Sequence, residues 1–434
     1  MRALLAMLAV LPVTVVAAGR QAVSEQPLVQ FETRADLILI DASVVDNEGV
    51  PIGNLTRDDF VVTVDGRPRP IASVQFVRSE ARAEPSEATK ATHYSSNAGA
   101  SDGRRVAIVI DENSIPPGGA RAVLFSTERF LQGLSSADRI AFIRLPGFED
   151  SLDFTPDHRR VLEAVQRVAG KAHRVGFGRV SVAESVAYER RDAFEWDRAV
   201  TRICAGQTGI DLEICRQDAE SEATEMINTY LRRARETLSG LGQLVNNLRQ
   251  MPGPKTLVLL SQGFLGYDYR LEILRLADAA AAARVSLYAL HVDMPAFDIA
   301  DATPSMTRTD DERLLAEGLE DLAGASRGAR FRIVGTGERV FARVARELSG
   351  YYLIGVEPTE ADRDGKPHRI TVDVTRPATT VRARAQFTIG AATADARAAA
   401  PADRVIELLR ARPPTPACRC VSPRSPLRPR PPVA

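Results

Sequence analysis

The feature that most constrains the fold is the regular alternation of short apolar runs with helical patterns between residues 105 and 356. The apolar runs are nearly continuous, as expected of strands that are buried on both faces. The clearest are RVAIVI (105–110), RIAFIRL (139–145), TLVLL (256–260) and VSLYALHV (285–292). Strands separated by helices imply parallel pairing through right-handed crossovers. The sequence therefore predicts an α/β fold with a doubly wound, mostly parallel sheet.

Helical spacing is clearest from Ile227 to Leu248, where apolar positions step alternately by four and three. Shorter helical patterns cover 271–283, 314–323 and 339–348, and further strands are predicted at 152–155, 331–334 and 351–356. Residues 173–222 interrupt the alternation, and they contain the only tryptophan of the chain. We therefore predict an α/β domain over residues 104–356 with an insertion at 173–222.

Two β-rich stretches flank this domain. The first, at 31–78, contains FVVTV followed by Asp65-Gly66, which is a strong hairpin signal. The second, at 357–390, contains RITVDV and VRARAQFTI. Neither stretch has enough strands for independent stability, so we expect them to pair into one antiparallel β-sandwich beside the α/β domain. Residues 79–103 read as a linker, and residues 391–434 as a mostly disordered tail.

The first residues predict export. Arg2 precedes an apolar run to Val16, and small residues follow, which is the pattern of a signal peptide over residues 1–18. No later segment is apolar enough to span a membrane, so a periplasmic or extracellular location is expected. Lys+Arg and Asp+Glu both total 56, and this balance gives no indication of nucleic-acid binding.

The chain has four cysteines. In an oxidising compartment Cys204 and Cys215 are candidates for a disulfide that closes a small loop. Their spacing is not a zinc-ligand pattern, since no histidines accompany them. Cys418 and Cys420 lie in the predicted tail and support no assignment.

Ligands of open α/β sheets bind beyond the carboxyl ends of the strands. This rule selects residues 111–114 after the first strand of the domain, Ser261 and Gln262 after a later one, and His291 and Asp293 after the next. Mg²⁺ prefers oxygen ligands such as carboxylates, hydroxyls and water. The strand ends therefore form a candidate metal site.

Several segments, in order, resemble the von Willebrand factor A (VWA) domain. They include the strand that ends in Asp-Glu-Asn-Ser (111–114), PGPKTLVLLSQGF (252–264) and YYLIGVEP (351–358). Together with the β-rich flanks, the order resembles the exported VWA-related proteins of Acidobacteria. The resemblance covers roughly residues 31–390 and implies a protein-binding or adhesion module, without catalysis, that recognises an unknown protein or a cell-envelope component.

The metal-ion-dependent adhesion site of that family needs Asp-x-Ser-x-Ser, a Thr from a second loop and an Asp after the fourth strand. Asp111 matches, whereas Asn113 and Ile115 stand where serines are expected, and Ser114 can substitute only if the loop shifts. Ser261-Gln262-Gly263 resembles Thr-Asp-Gly with Gln262 in place of the Asp. The resemblance thus implies a degenerate Mg²⁺ site made of Asp111, Asn113, Ser114, Ser261 and Gln262.

Three alternatives remain open at this point. Asp111 and Asn113 could simply cap backbone N–H groups, in a metal-free structural scaffold of the envelope. A hydrolase could use Ser261 with His291, although no G-x-S-x-G motif is present. Recognition could also involve the insertion, where Trp196 is the candidate for an interaction surface.

Overall fold

The computed structural model describes residues 37–78, 103–117, 127–128, 130–172, 178–292, 305–326, 328–333, 335 and 337–389. The predicted signal peptide, nearly all of the predicted linker, Asp293 and the predicted tail with Cys418 and Cys420 lie outside these residues. Within them the protein is mixed α/β, with one mostly parallel sheet and two antiparallel sheets.

The described strands are β1 (Ile38–Val45), β2 (Phe60–Val64), β3 (Arg67–Pro68), β4 (Ile71–Arg78), β5 (Arg105–Asp111), β6 (Arg139–Leu145), β7 (Leu152–Thr155), β8 (Lys255–Ser261), β9 (Val285–Val292), β10 (Ala329–Ile333), β11 (Gly350–Val356), β12 (His368–Val374), β13 (Thr380–Ala383) and β14 (Gln386–Phe387). The described α-helices, numbered by their order here, are α1 (His158–Val165), α2 (Val182–Glu189), α3 (Ala193–Ile203), α4 (Gly209–Leu248), α5 (Arg270–Ala282), α6 (Ser305–Ala325) and α7 (Glu338–Glu347). Most predicted segments agree closely with these bounds, but α4 and α6 begin earlier than their apolar patterns and VRARAQFTI is divided between β13 and β14. Helices α2 and α3 lie in the insertion, where no helix was predicted.

The parallel sheet has the order β10-β9-β8-β5-β6-β7. Every neighbouring pair is parallel except β6 and β7, so β7 is an antiparallel edge strand. The chain moves from β5 outward to β6 and then returns to β8 on the other side of β5. This reversal makes the carboxyl ends of β5 and β8 the switch point, where doubly wound sheets bind their ligands.

Each face of this sheet is covered. One apolar cluster joins the sheet to α4, α5 and α6 through side chains such as Val109, Leu241 and Leu276. A second cluster joins the opposite face to α1 and α7 through side chains such as Ile108, Val161 and Phe341. Alternate residues of β5 therefore face opposite layers, which explains why its sequence is apolar throughout.

Strand β11 was expected to continue the parallel sheet, and that expectation is wrong. It lies between β1 and β4 in the antiparallel sheet β13-β1-β11-β4. The alternation of helix and strand predicts that a strand is present but not which edge it joins. Buried Tyr352 and Ile354 alternate with half-buried neighbours in β11, which is typical of a strand covered on one face.

The N- and C-terminal β stretches form two antiparallel sheets, the second with the order β14-β12-β2-β3. Side chains from both sheets share one apolar cluster. Asp65 and Gly66 form the predicted turn with positive φ angles, but the returning strand β3 is only two residues long. The next strand, β4, crosses to the other sheet. Each sheet therefore needs strands from both ends of the described chain.

A histidine with two carboxylate partners lies at one end of this β structure. His368 Nδ1 lies 2.8 Å from Asp65 Oδ2, and Nε2 lies 3.0 Å from Asp364 Oδ1. The hydrogen bond with Asp65 is the main cause that raises the pKa of His368 above its usual 6.5. The charged imidazole therefore stabilises the fold below the unfolded-state pKa, and this stabilisation is lost as pH rises through the folded-state pKa.

We therefore expect His368→Gln to flatten the decline of thermal stability between pH 6 and pH 8. Melting temperatures of both proteins, measured across this range at one ionic strength, check the expectation. Parallel declines in the wild type and the variant would show that His368 does not carry this pH dependence.

The insertion consists, in its described part, of α2, α3 and the first turns of α4. The Sγ atoms of Cys204 and Cys215 lie at bonding distance, so the predicted disulfide is confirmed. The structure places Trp196 in the small core beside this disulfide, only 7% exposed, rather than on the surface where we expected it. Its indole packs against the ring of Tyr188, because α2, α3 and α4 must bury an apolar face of their own.

Candidate functional site

The candidate site lies at the carboxyl ends of β5 and β8, on the side of the sheet that α4 covers. Asp111 ends β5, and Ser261 ends β8. Both follow strand positions whose side chains join the α4-facing cluster. The strand-end rule thus places the two residues correctly from sequence alone.

Asp111 is the buried centre of the site, with 1% of its surface exposed. Ser261 Oγ donates a hydrogen bond to Asp111 Oδ2 at 2.9 Å. Asp111 Oδ1 is buried and has no hydrogen-bond partner of normal geometry. A buried carboxylate oxygen without a partner is costly, so this atom indicates that either a proton or a cation belongs there.

The two serines are held together by a short network. Ser114 Oγ lies 3.1 Å from Ser261 Oγ and donates to the backbone carbonyl of Asp111 at 2.9 Å. The backbone N–H of Gln262 donates to Ser114 Oγ at 3.0 Å, and that of Gly263 donates to Ser261 Oγ at 3.0 Å. The loop after β5 therefore does bring Ser114 into the cluster, as the resemblance required of a shifted loop.

Gly263 makes this loop possible. Its φ is +103°, and a Cβ atom at this position would lie 2.3 Å from the carbonyl oxygen of Leu315. The next residue, Phe264, donates its backbone N–H to that same carbonyl at 3.1 Å. Only glycine can occupy this position without displacing α6 from the edge of the site.

Thr237 is the residue that the sequence analysis missed. It lies on α4, is 2% exposed, and lines the same small cavity as Asp111, where its hydroxyl lowers the pKa of the Asp111 carboxylate. No threonine could be assigned because we looked for it in a loop. A signal was nevertheless present, since Thr237 is a polar residue on the otherwise apolar stripe that includes Ala234 and Leu241.

Of the other positions considered for the metal site, one lies at the cluster and two do not. Asn113 turns away from the cluster, because its Nδ2 donates to Glu236 Oε2 on α4 at 2.7 Å. Ile115 is buried in the cluster on the opposite face of the sheet. Gln262 contributes its backbone N–H and lines a small cavity next to Asp111. Asn113 is therefore not part of the set that surrounds the carboxylate.

That cavity has a volume of about 30 Å³, which is enough for a water molecule or a small ion. Besides Asp111, Ser114, Thr237 and Gln262, its lining includes Arg233 and Tyr230. The Arg233 guanidinium carbon lies 5.2 Å from the centre of the Tyr230 ring. A guanidinium at the cavity wall lowers the affinity of the site for a cation and favours an anionic group nearby.

Burial raises the pKa of Asp111 to about 6, and the hydroxyls of Ser261, Thr237 and Ser114 oppose this rise. The carboxylate is therefore mostly ionised at neutral pH, but at a cost to the fold. A bound cation would favour the ionised form and lower this pKa. Binding of a metal should consequently weaken as pH falls through 6.

Glu112, next in the chain, does not assist Asp111. Arg144 on β6 donates to both of its carboxylate oxygens, at 3.0 and 2.8 Å, and Lys171 Nζ lies 3.3 Å from Oε2. Glu112 is 1% exposed, so this pairing is needed to keep its charge buried. The two adjacent carboxylates thus have opposite environments. Glu112 is neutralised by cations, whereas Asp111 has no cationic partner at contact distance.

His291 is the register partner of Ser261 on β9 and belongs to the same face of the sheet. The hydroxyl of Ser261 nevertheless donates to Asp111, and Ser114 and the N–H of Gly263 occupy its other sides. A hydrolytic triad requires the serine to donate to the imidazole. This arrangement favours a structural or metal-binding role for Ser261 over that of a nucleophile.

The residues present fit a hard cation. Asp111 supplies one carboxylate with a free oxygen, and Ser114, Ser261 and Thr237 supply hydroxyls around it. Among the described residues no group of three or more His, Cys, Asp or Glu side chains could hold a metal ion. A cation at this position would therefore depend on hydroxyls, water and a single carboxylate, a donor set that is weak for Mg²⁺.

Comparisons with known proteins give no family. No protein-family model matches the chain, and no curated protein is significantly similar to it. Within the described ranges, none of the helices combines the length and the apolar character needed to cross a bilayer.

Proposed function

We propose that this chain is an exported, non-catalytic binding module of the VWA type that presents the carboxyl edge of its parallel sheet to a protein or a cell-envelope component. The observation that carries the proposal is the buried Asp111 with its unpartnered oxygen, surrounded by three hydroxyls at the switch point. The doubly wound sheet supports the resemblance in sequence. The disulfide and the apolar N-terminal run support export.

Asp111, Ser114, Ser261 and Thr237 would hold a divalent cation, and such a cation would attract an oxygen ligand of the partner. Ser261 orients the carboxylate through its hydrogen bond to Oδ2. The backbone N–H groups of Gln262 and Gly263 hold the serine hydroxyls in place. Gly263, Phe264 and Leu315 of α6 form one wall of the cavity.

Calorimetric titration of MgCl₂ and MnCl₂ into the purified protein at pH 7.5 tests the metal site. We expect weak, saturable binding that Asp111→Ala abolishes. Thr237→Val should weaken it several-fold, because it removes a hydroxyl beside the carboxylate without changing the volume of the side chain. Thr224→Val is the matched control, because Thr224 is an exposed threonine on the same helix.

Equal affinities in the Thr237→Val and Thr224→Val variants would remove Thr237 from the ligand set. Absence of saturable heat at millimolar metal would contradict the cation site as a whole. Adhesion would then have to be sought on another surface.

A further inference from the structure

A large cavity lies at the opposite edge of the parallel sheet, between that sheet and the β1–β11 sheet. Its volume is about 790 Å³, within the range of pockets that bind small organic molecules. The first residues of β5 and β8 line it, together with residues of β1 and β11. Since β5 is seven residues long, the cavity lies about 20 Å from the Asp111 site.

The lining of this cavity is rich in cationic side chains. Five lysines and arginines face three carboxylates. The carboxylates are already paired. Asp138 accepts from Arg104 Nε at 3.0 Å, and Glu347 from Arg382 at 2.9 Å. Asp41 accepts from Nε and Nη2 of the Arg284 guanidinium. Among the described residues, no carboxylate lies within hydrogen-bond distance of Lys255.

Lys255 is the most buried cation of this lining, at 3% exposed. Its Nζ donates to the backbone carbonyl of Met251 at 2.7 Å. The ammonium group has three protons to donate, and Arg105 and Arg284 add positive charge around it. Burial, then the two arginines, lower the pKa of Lys255 to about 8, so it remains charged at neutral pH. A buried cation with a single neutral acceptor is costly unless an anion joins it.

The cavity also offers apolar surface. Tyr351, Leu348 and Val77 line it, and Pro252 and Pro254 lie beside Lys255 on the chain. A phosphate ion alone would leave most of this volume to water. The combination of a buried cationic corner and an apolar wall suits a molecule with both kinds of surface.

We propose that this cavity binds a small organic anion, whose carboxylate or phosphate group contacts Lys255 and Arg105 and whose apolar part packs against Tyr351 and Leu348. The site is separate from Asp111, and it needs no metal. Both sheets contribute to the lining, so a bound anion would also strengthen the contact between them. This inference does not depend on the proposed adhesion function.

Thermal melting at constant ionic strength and pH 7 tests it, with phenyl phosphate, benzoate, inorganic phosphate and benzyl alcohol as probes. We expect phenyl phosphate or benzoate to raise the melting temperature saturably, and neutral benzyl alcohol to leave it unchanged. The anionic probe that saturates at the lower concentration identifies the preferred group. Inorganic phosphate should bind at least several-fold more weakly than phenyl phosphate, because it lacks the apolar part.

Lys255→Met is expected to reduce the affinity for the anionic probes at least tenfold. The variant should fold, because methionine fills a similar volume and removes a buried charge. Its melting temperature without anions should equal or exceed that of the wild type. Lys366→Met is the control for net charge, since the Lys366 side chain is 78% exposed. It should bind like the wild type.

Three results would overturn the proposal. The first is that no anionic probe changes the melting temperature. The second is an equal response in Lys255→Met and the wild type, which would show a general effect of anions. The third is an equal response to inorganic phosphate and phenyl phosphate, which would remove the apolar half of the site. Asp111→Ala should retain the anion response, so failure of the metal site and failure of this site are distinguishable.

Discussion

Replacing Arg144 by methionine is expected to lower the free energy of unfolding by about 3 kcal/mol. The loss arises because Glu112, at 1% exposed, would keep its charge with only Lys171 as a cationic partner. Arg144 now donates two hydrogen bonds to that carboxylate and a third to Asp150. Denaturant unfolding at pH 7.5, with equal slopes for both proteins, measures the difference.

The double variant Arg144→Met, Glu112→Gln separates the buried charge from lost packing. It should recover part of the stability, because no ionised group then remains buried without its partner. A double variant as unstable as Arg144→Met alone would assign the loss to packing of the arginine stem. A change below about 0.5 kcal/mol in the single variant would show that Lys171 alone suffices for Glu112.

Asp111→Asn is expected to stabilise the protein, whereas Arg144→Met destabilises it. Without metal, it should raise the free energy of unfolding at pH 8 by up to about 3 kcal/mol. Asn retains an oxygen that can accept from Ser261, and it removes a buried charge that no cation at contact distance neutralises. The small cavity beside the side chain leaves room for a water that accepts from the new amide.

Protonation of Asp111 makes the stability of the fold depend on pH. Burial raises the folded-state pKa of Asp111 to about 6, above the ordinary value of 3.8, so the folded protein binds more protons between these values. Stability contributed by this group therefore falls as pH rises from about 4 to about 6 and stays low above it. The advantage of Asp111→Asn should consequently be large at pH 8 and vanish near pH 4.

Urea unfolding at several pH values, in the presence of a chelator, measures this profile. Asp218→Asn is the control, since Asp218 is an exposed carboxylate on α4, and it should change stability by less than about 0.5 kcal/mol. Added Mn²⁺ should then stabilise the wild type but not Asp111→Asn. A loss of stability in Asp111→Asn at every pH would mean that the carboxylate is compensated in the fold.

These two predictions concern adjacent residues at the end of one strand. Strand geometry directs Asp111 towards α4 and Glu112 away from it. Glu112 pairs with Arg144 on the neighbouring strand, while Asp111 accepts a hydrogen bond from the hydroxyl of Ser261. Their opposite expected effects therefore come from the layer that each side chain enters.

The sequence alone determined the mixed α/β class of the fold and the place of the candidate site. Apolar runs and helical periodicity located most described strands and helices outside the insertion, because burial on one or both faces imposes a local pattern. The strand-end rule selected Asp111, Ser114, Ser261 and Gln262, and the cysteine spacing selected the disulfide. These features depend on neighbours in the chain or on a rule common to all parallel sheets.

Only the tertiary structure decided which distant residues meet. Thr237 reaches Asp111 from a helix, Asn113 turns to Glu236, and Trp196 enters a core that only the packed insertion creates. Strand β11 pairs with β1 rather than with the parallel sheet, and this choice forms one wall of the Lys255 cavity. Periodicity predicts whether a residue is buried but not which residue it contacts, because contacts between distant segments depend on how whole layers pack.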